Sequence, residues 1–179
     1  ARIQDPFPSS WVPVAGWGAN YQTPTRLPAT TRGGVTGYVS VTTAALPQQL
    51  PTNLEVRVRP PSNLRFDGSS AYSPGVFSSL SPAISWDWSG PIRPDGYMVS
   101  VLKLVANQGA TQRIPADTFR VVGQSIVIPR PVLAAASAYV IKVQANKVLD
   151  ANIRTSPFSD VSSLNWSSAD TVSSIWTTP

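Results

Sequence analysis

The sequence predicts an all-β chain, a two-sheet antiparallel sandwich, and three observations carry that expectation. Short stretches alternate apolar and polar residues with a period of two, as strands with one buried face do. Proline and glycine, 18 and 11 residues, punctuate the sequence around those stretches. Glu and Lys, the usual covering of helix surfaces, are scarce: Glu55 is the single glutamate, and Lys103, Lys142 and Lys147 are the only lysines. With 179 residues, 42% of them hydrophobic, the chain is long enough to bury a sizeable core.

Residues 1–35 are expected to form an extended arm. Pro6, Pro8, Pro13, Pro24 and Pro28 delete backbone donors at intervals too short for a helix or a central strand, and Gly16, Gly18, Gly33 and Gly34 break the remainder. The arm also holds Phe7, Trp11, Trp17 and Tyr21. Such rings lose roughly 2 kcal/mol or more each when left in water instead of buried, so the arm is expected to lie against something.

Residues 36–59 read as an added hairpin. Gly37–Thr42 supplies one strand and Asn53–Arg59 the other, with Leu54, Val56 and Val58 on one side and Glu55, Arg57 and Arg59 on the other. Pro60 and Pro61 stop the run.

The sandwich is expected over 60–166. Ile84 and Trp86 share a face, as do Tyr97, Val99 and Val101, and as do Tyr139, Ile141, Val143 and Ala145. Ser125–Ile128 gives a short strand stopped by Pro129, and Thr118–Val122 a short connecting strand. Between them and the strand at Gly96, residues 106–116 read as a polar turn region. A last strand is expected around Val161–Trp166, and residues 167–179 as a second extended arm, which carries Trp176.

Taken together, these residues resemble a fibronectin type III domain over about 100 positions, from Pro60 to Trp166. Trp86 stands eleven residues before Tyr97, and Leu133 stands six before Tyr139, with Val143 and Ala145 following. Pro61-Ser62-Asn63-Leu64 is similar to the start of the family's first strand. The resemblance implies a seven-strand sandwich in which the Tyr139 hydroxyl bonds back to the backbone of the preceding loop. The separation from Leu64 to Trp86 is longer than the family's, so Asp67–Ser79 reads as an insertion.

Composition removes several functions. Cysteine and histidine are both absent, so there is no disulfide framework, no thiolate nucleophile, no imidazole base and no thiolate or imidazole ligand for zinc. Neither a phosphate-cradling glycine loop nor a Gly-x-Ser-x-Gly turn occurs. Nine scattered acids single out no catalytic pair. The net charge of +5 is spread over the chain, with Arg57, Arg59 and Arg65 as the nearest approach to a stripe, so nucleic acid is not expected as a partner. The longest nearly apolar run, Val132–Ile141, is too short to span a bilayer as a helix. Asp87 and Asp95 flank one loop and offer oxygens to a calcium ion. Two carboxylates fall short of the six to eight oxygens such an ion takes, and the plainer role of such residues is to cap a turn.

The reading is therefore a non-enzymatic structural or adhesive subunit, with no catalytic, cofactor or metal residues. Charged residues make up 13% of the chain, about half the usual share, which suits a secreted or cell-envelope setting. Arg-rich, Ala- and Pro-rich usage suggests a GC-rich bacterial genome. The candidate contacts with a protein partner are Trp11, Trp17, Tyr21 and Trp176, because aromatic rings concentrate at interface hot spots. The alternative is a carbohydrate-binding accessory module that stacks those rings on sugar faces, with a polysaccharide as partner. A third possibility is that the arms cover the sandwich's own edges.

Overall fold

The computed structural model describes residues 15–25, 35–45, 58–107, 110–148 and 166–179, the first two stretches by their backbone. These residues form β1 (Ala15–Thr25), β2 (Val35–Ala45), β3 (Ser62–Phe66), β4 (Ser69–Ser70), β5 (Gly75–Val76) and β6 (Ala83–Asp87). There follow β7 (Gly96–Asn107), β8 (Ala110–Val121), β9 (Ser125–Val127), β10 (Ala138–Val148), β11 (Trp166–Val172) and β12 (Trp176–Thr177). A 3-10 turn at Arg130–Val132 precedes β10.

The strands form two sheets, as expected for an all-β sandwich. The smaller runs β4-β3-β6-β9. In the larger, β10 pairs with β7 on one side, and β7 with β8. On its other side β10 pairs with β11 and β12, which follow one another along its edge. Beyond β11 lie β2 and then β1, and beyond β12 lies β5, the one parallel pairing among the described residues. Leu64, Phe66, Ile84 and Trp86 of the smaller sheet and Tyr97, Val99, Val101, Tyr139, Ile141, Val143 and Ala145 of the larger share one buried cluster. That is the period-two pattern of the sequence turned into a dry layer between two sheets.

β6, β7, β9 and β10 lie where alternation placed them. Other expectations change. The region 106–116 is not a turn region but belongs largely to the two strands of a long hairpin, because β7 runs on to Asn107 and β8 begins at Ala110. Polar residues are tolerated there since β8 is an edge strand, paired to β7 alone among the described residues. Residues 15–25, assigned to the extended arm, form β1, which pairs with β2 over eleven positions from Ala15↔Ala45 to Thr25↔Val35. The hairpin partner of Gly37–Thr42 is therefore β1. Residues 53–57 of the expected partner lie outside the described residues, and Val58 is fully buried in the core. Of the last strand, expected around Val161–Trp166, all but Trp166 lies outside the described residues; 167–179 is no arm, because β12 and β11 are paired strands of the larger sheet. The sequence of β11, Trp-Ser-Ser-Ala-Asp-Thr-Val, shows no alternation of large apolar residues, and neighbours on both sides specify it instead.

The Asp67–Ser79 insertion is part of the core. It crosses from the smaller sheet, at β4, to the larger, at β5, and buries Ala71 and Phe77 on the way. Phe77 and Phe66 enclose the Trp176 ring, with centroids 5.3 and 4.9 Å from it. Gly75 passes under that indole so closely that a Cβ would stand 2.8 Å from two of its ring carbons. Gly75→Ala is expected to lower stability by about 1–3 kcal/mol, the usual cost of overpacking a rigid site. Gly123, where a Cβ meets nothing within 4 Å, supplies the control: with both variants followed by urea titration, Gly123→Ala is expected to be neutral or slightly stabilising.

Tyr139 behaves as the sequence led one to expect. Its ring is buried, Leu133 beside it is 3% exposed, and its hydroxyl accepts the Ala134 N–H at 2.8 Å, five residues back along the chain. The bond pins the loop after the 3-10 turn to the start of β10. Tyr139→Phe keeps the ring and removes the acceptor, with an expected loss of about 1 kcal/mol by chemical denaturation. An unchanged midpoint would show that water replaces the bond at no cost.

Candidate interaction surface

The four candidate contact residues part company in the structure. Trp11 lies outside the described residues. Trp17 and Tyr21 fall on β1, opposite Thr43 and Val39 of β2. Trp176 is 7% exposed between Phe66 and Phe77, so its ring belongs to the core and is not offered to a partner or a sugar. Its position close to the end of the sequence suggested exposure, and the pairing of β12 with β10 and β5 overrules that. Trp86 is a core ring at 2% exposure, edge-on to Tyr97 at 5.1 Å. Trp88 is half-buried and packs against the core from its rim.

The five described aspartates are all engaged by the framework. Asp67 accepts the Ala83 N–H at 2.8 Å and the Ser78 hydroxyl at 2.5 Å, closing the turn that follows β3. Asp117 accepts the Thr118 N–H at 2.7 Å. Asp170 on β11 receives Lys142 Nζ at 3.5 Å and Gln144 Nε2 at 2.9 Å across the pairing with β10. Asp95 takes Lys147 Nζ at 2.7 Å and the Val148 N–H at 3.0 Å, while its own N–H donates to Asn146 O at 2.8 Å. That set ties the start of β7 to the end of β10. Asp87 takes Arg65 Nη2 at 2.7 Å and Asn63 Nδ2 at 2.9 Å on the solvent face of the smaller sheet. The two carboxylates weighed as calcium ligands are thus each held by a cation of the protein itself.

The surface that sequence reasoning missed is the β1–β2 ribbon. Of the eleven residues in β2, only Val41–Ala44 pair with β11, at Ala169–Trp166. The remainder, Val35–Ser40 with Asn20–Thr25 of β1, continues past that joint as a two-stranded ribbon among the described residues. No charged residue occurs in either strand. A sequence signal was present: Trp17, Ala19, Tyr21 and Thr23 alternate with Gly18, Asn20 and Gln22, and the flanking glycines and prolines obscured it. No described helix is long and apolar enough to cross a membrane.

No family model, no curated protein and no solved structure matches this chain.

The exposed Asp87 cluster has a measurable signature. Hydrogen bonds from Asn63 first and Arg65 second hold the Asp87 carboxyl below its ordinary value. A depressed carboxyl contributes its stability above the ordinary carboxylate pKa and loses it as pH falls through the depressed folded value. Asn63→Ala is expected to move the Asp87 titration, followed by carboxyl carbon NMR, upward toward the ordinary value. Titration of Asp87 at that ordinary value in the unaltered protein would remove the argument.

Proposed function

We propose that this chain is a non-enzymatic structural or adhesive subunit of a secreted or cell-envelope assembly, and that it meets a protein partner through the sheet extension carried by β1 and β2. One observation supports this reading above the others. The polar chemistry of the described residues is spent on the framework, each aspartate on a fold contact, while the larger sheet is prolonged by a ribbon without charge. A framework with an added uncharged ribbon suits holding and joining.

The sandwich itself we read as one of the fibronectin type III kind. The orders β3-β6-β9 and β8-β7-β10-β11, the buried Trp86 and the Tyr139 hydroxyl bonded five residues back support that reading. The glycan alternative loses Trp176, which is core.

The test is fractionation of the source cells with detection of the chain by antibody. The chain is expected in the envelope or the medium, sedimenting in a species larger than one copy. A cytosolic chain sedimenting alone would overturn the proposal. Polysaccharide binding abolished by Trp11→Ala or Trp17→Ala would replace it with the glycan reading.

A further inference from the structure

Strand edges expose unpaired backbone donors and acceptors, and folded proteins protect them by shortness, charge, proline or bulges. Among the described residues the edges follow that rule except on the β1–β2 ribbon, where β1 is a free edge along its whole length and β2 is unpaired on its other side at Val35–Ser40. In the smaller sheet the edge strands β4 and β9 have two and three residues. In the larger sheet β5 has two. The long edge strand β8 carries Arg113, Asp117 and Arg120, holds Pro115, and has a register shift between Val101↔Asp117 and Leu102↔Pro115. β1 ends the other side of the same sheet and has none of these devices before Pro24, its last residue but one. It is eleven residues long, uncharged, unbroken in register against β2, and reaches its single proline only at Pro24. Among the described residues nothing pairs with its outer edge.

We propose that β1 pairs with β1 of a second copy of this chain, antiparallel about a two-fold axis, so that the two larger sheets become one continuous sheet. Three features favour a second copy over a different protein. The ribbon has no charge with which to select a basic or acidic partner. That same lack removes like-charge opposition between two copies, although each chain carries +5. The sequence is also complementary to itself. Full overlap of the strand centres on Asn20 and sets Trp17 opposite Thr23 and Tyr21 opposite Ala19, so that each aromatic position is paired with a small or β-branched one. An isologous edge of this kind closes on itself and leaves no further free edge at the joint. Eleven residues at about 3.4 Å each make a seam roughly 37 Å long.

The proposal deepens the reading of the chain as an assembly subunit, and it is tested on the purified chain, so that its failure is separate from the fractionation result. Sedimentation equilibrium of the whole chain at micromolar concentrations is expected to show a reversible dimer. Asn20→Lys and Asn20→Asp, which place like charges face to face at the axis, are each expected to weaken dimerisation roughly tenfold or more, and an equimolar mixture to restore it. A second variant guards against a failure to fold. The chain has no cysteine, and directly opposed positions of an antiparallel pair have Cα separations of about 4.5–5.5 Å, within disulfide reach. Asn20→Cys is therefore expected to give a covalent dimer under mild oxidation, while Ser125→Cys on β9 stays monomeric. A native chain that is monomeric throughout, an Asn20→Lys chain that dimerises as tightly as the native one, or Asn20→Cys that cross-links no faster than Ser125→Cys would each overturn the proposal.

Discussion

The pairing of residues 166–177 along β10 is the constraint on which the larger sheet depends. β10 is paired to β7 from Ala138 to Asn146, and its opposite edge is taken by β11 and then β12. Between those two strands the chain leaves regular pairing at Ser173–Ile175, which would ordinarily strand the N–H of Ile141 in the core. The Ser173 hydroxyl accepts that N–H at 2.9 Å, and the Ser173 N–H donates to Ile141 O at 2.8 Å. A side-chain oxygen thus stands where a regular strand would put a carbonyl, and the buried backbone remains satisfied through the break.

That break is also what allows the outer edge of the same strand to be covered by three separate pieces of chain. β2 pairs with its first part, from Trp166 to Ala169. The loop after β4 meets its middle, through Ser174 N–H to Ala71 O at 2.8 Å and the Tyr72 and Thr171 hydroxyls at 3.2 Å. β5 pairs with its last part, and Phe77 N–H continues the contact to Thr177 O at 2.9 Å. The insertion is therefore no appendage. It links the two sheets at one edge and brings Phe77 against Phe66 and Trp176, so that one segment supplies both part of the aromatic plug and part of the strand cover.

What the sequence made legible follows from where the information sits. β6, β7 and β10 each bury one face with large apolar side chains, so their pattern is local and can be read without knowing any neighbour. Tyr139 was legible for the same reason, since its hydroxyl bonds within its own stretch of chain. β11 was not, because Ser167 and Ser168 are buried by partners distant in sequence and carry no hydrophobic signal of their own. Trp176 was misplaced because the groups enclosing it, Phe66, Gly75 and Phe77, stand about a hundred residues earlier. β1 carried a legible alternation, but its glycines weigh against a strand in any local reading, and only the eleven-position pairing with β2 outweighs them.

The energetics of the ribbon differ from those of the rest of the sheet. A two-stranded ribbon has little apolar surface to bury within itself and is marginal in water on its own. Ordering each of its residues costs about 1–2 kcal/mol of backbone entropy, which its own ladder of hydrogen bonds scarcely offsets. Its connection to the sandwich is the four-position joint between β2 and β11, and in that joint Ser167 and Ser168 are buried with no partner for their hydroxyls among the described residues. A further strand along β1 would convert an edge into an interior strand and add a second ladder where the first is least supported. The place where this fold gains most from another chain is therefore the place where its edge is least protected against one.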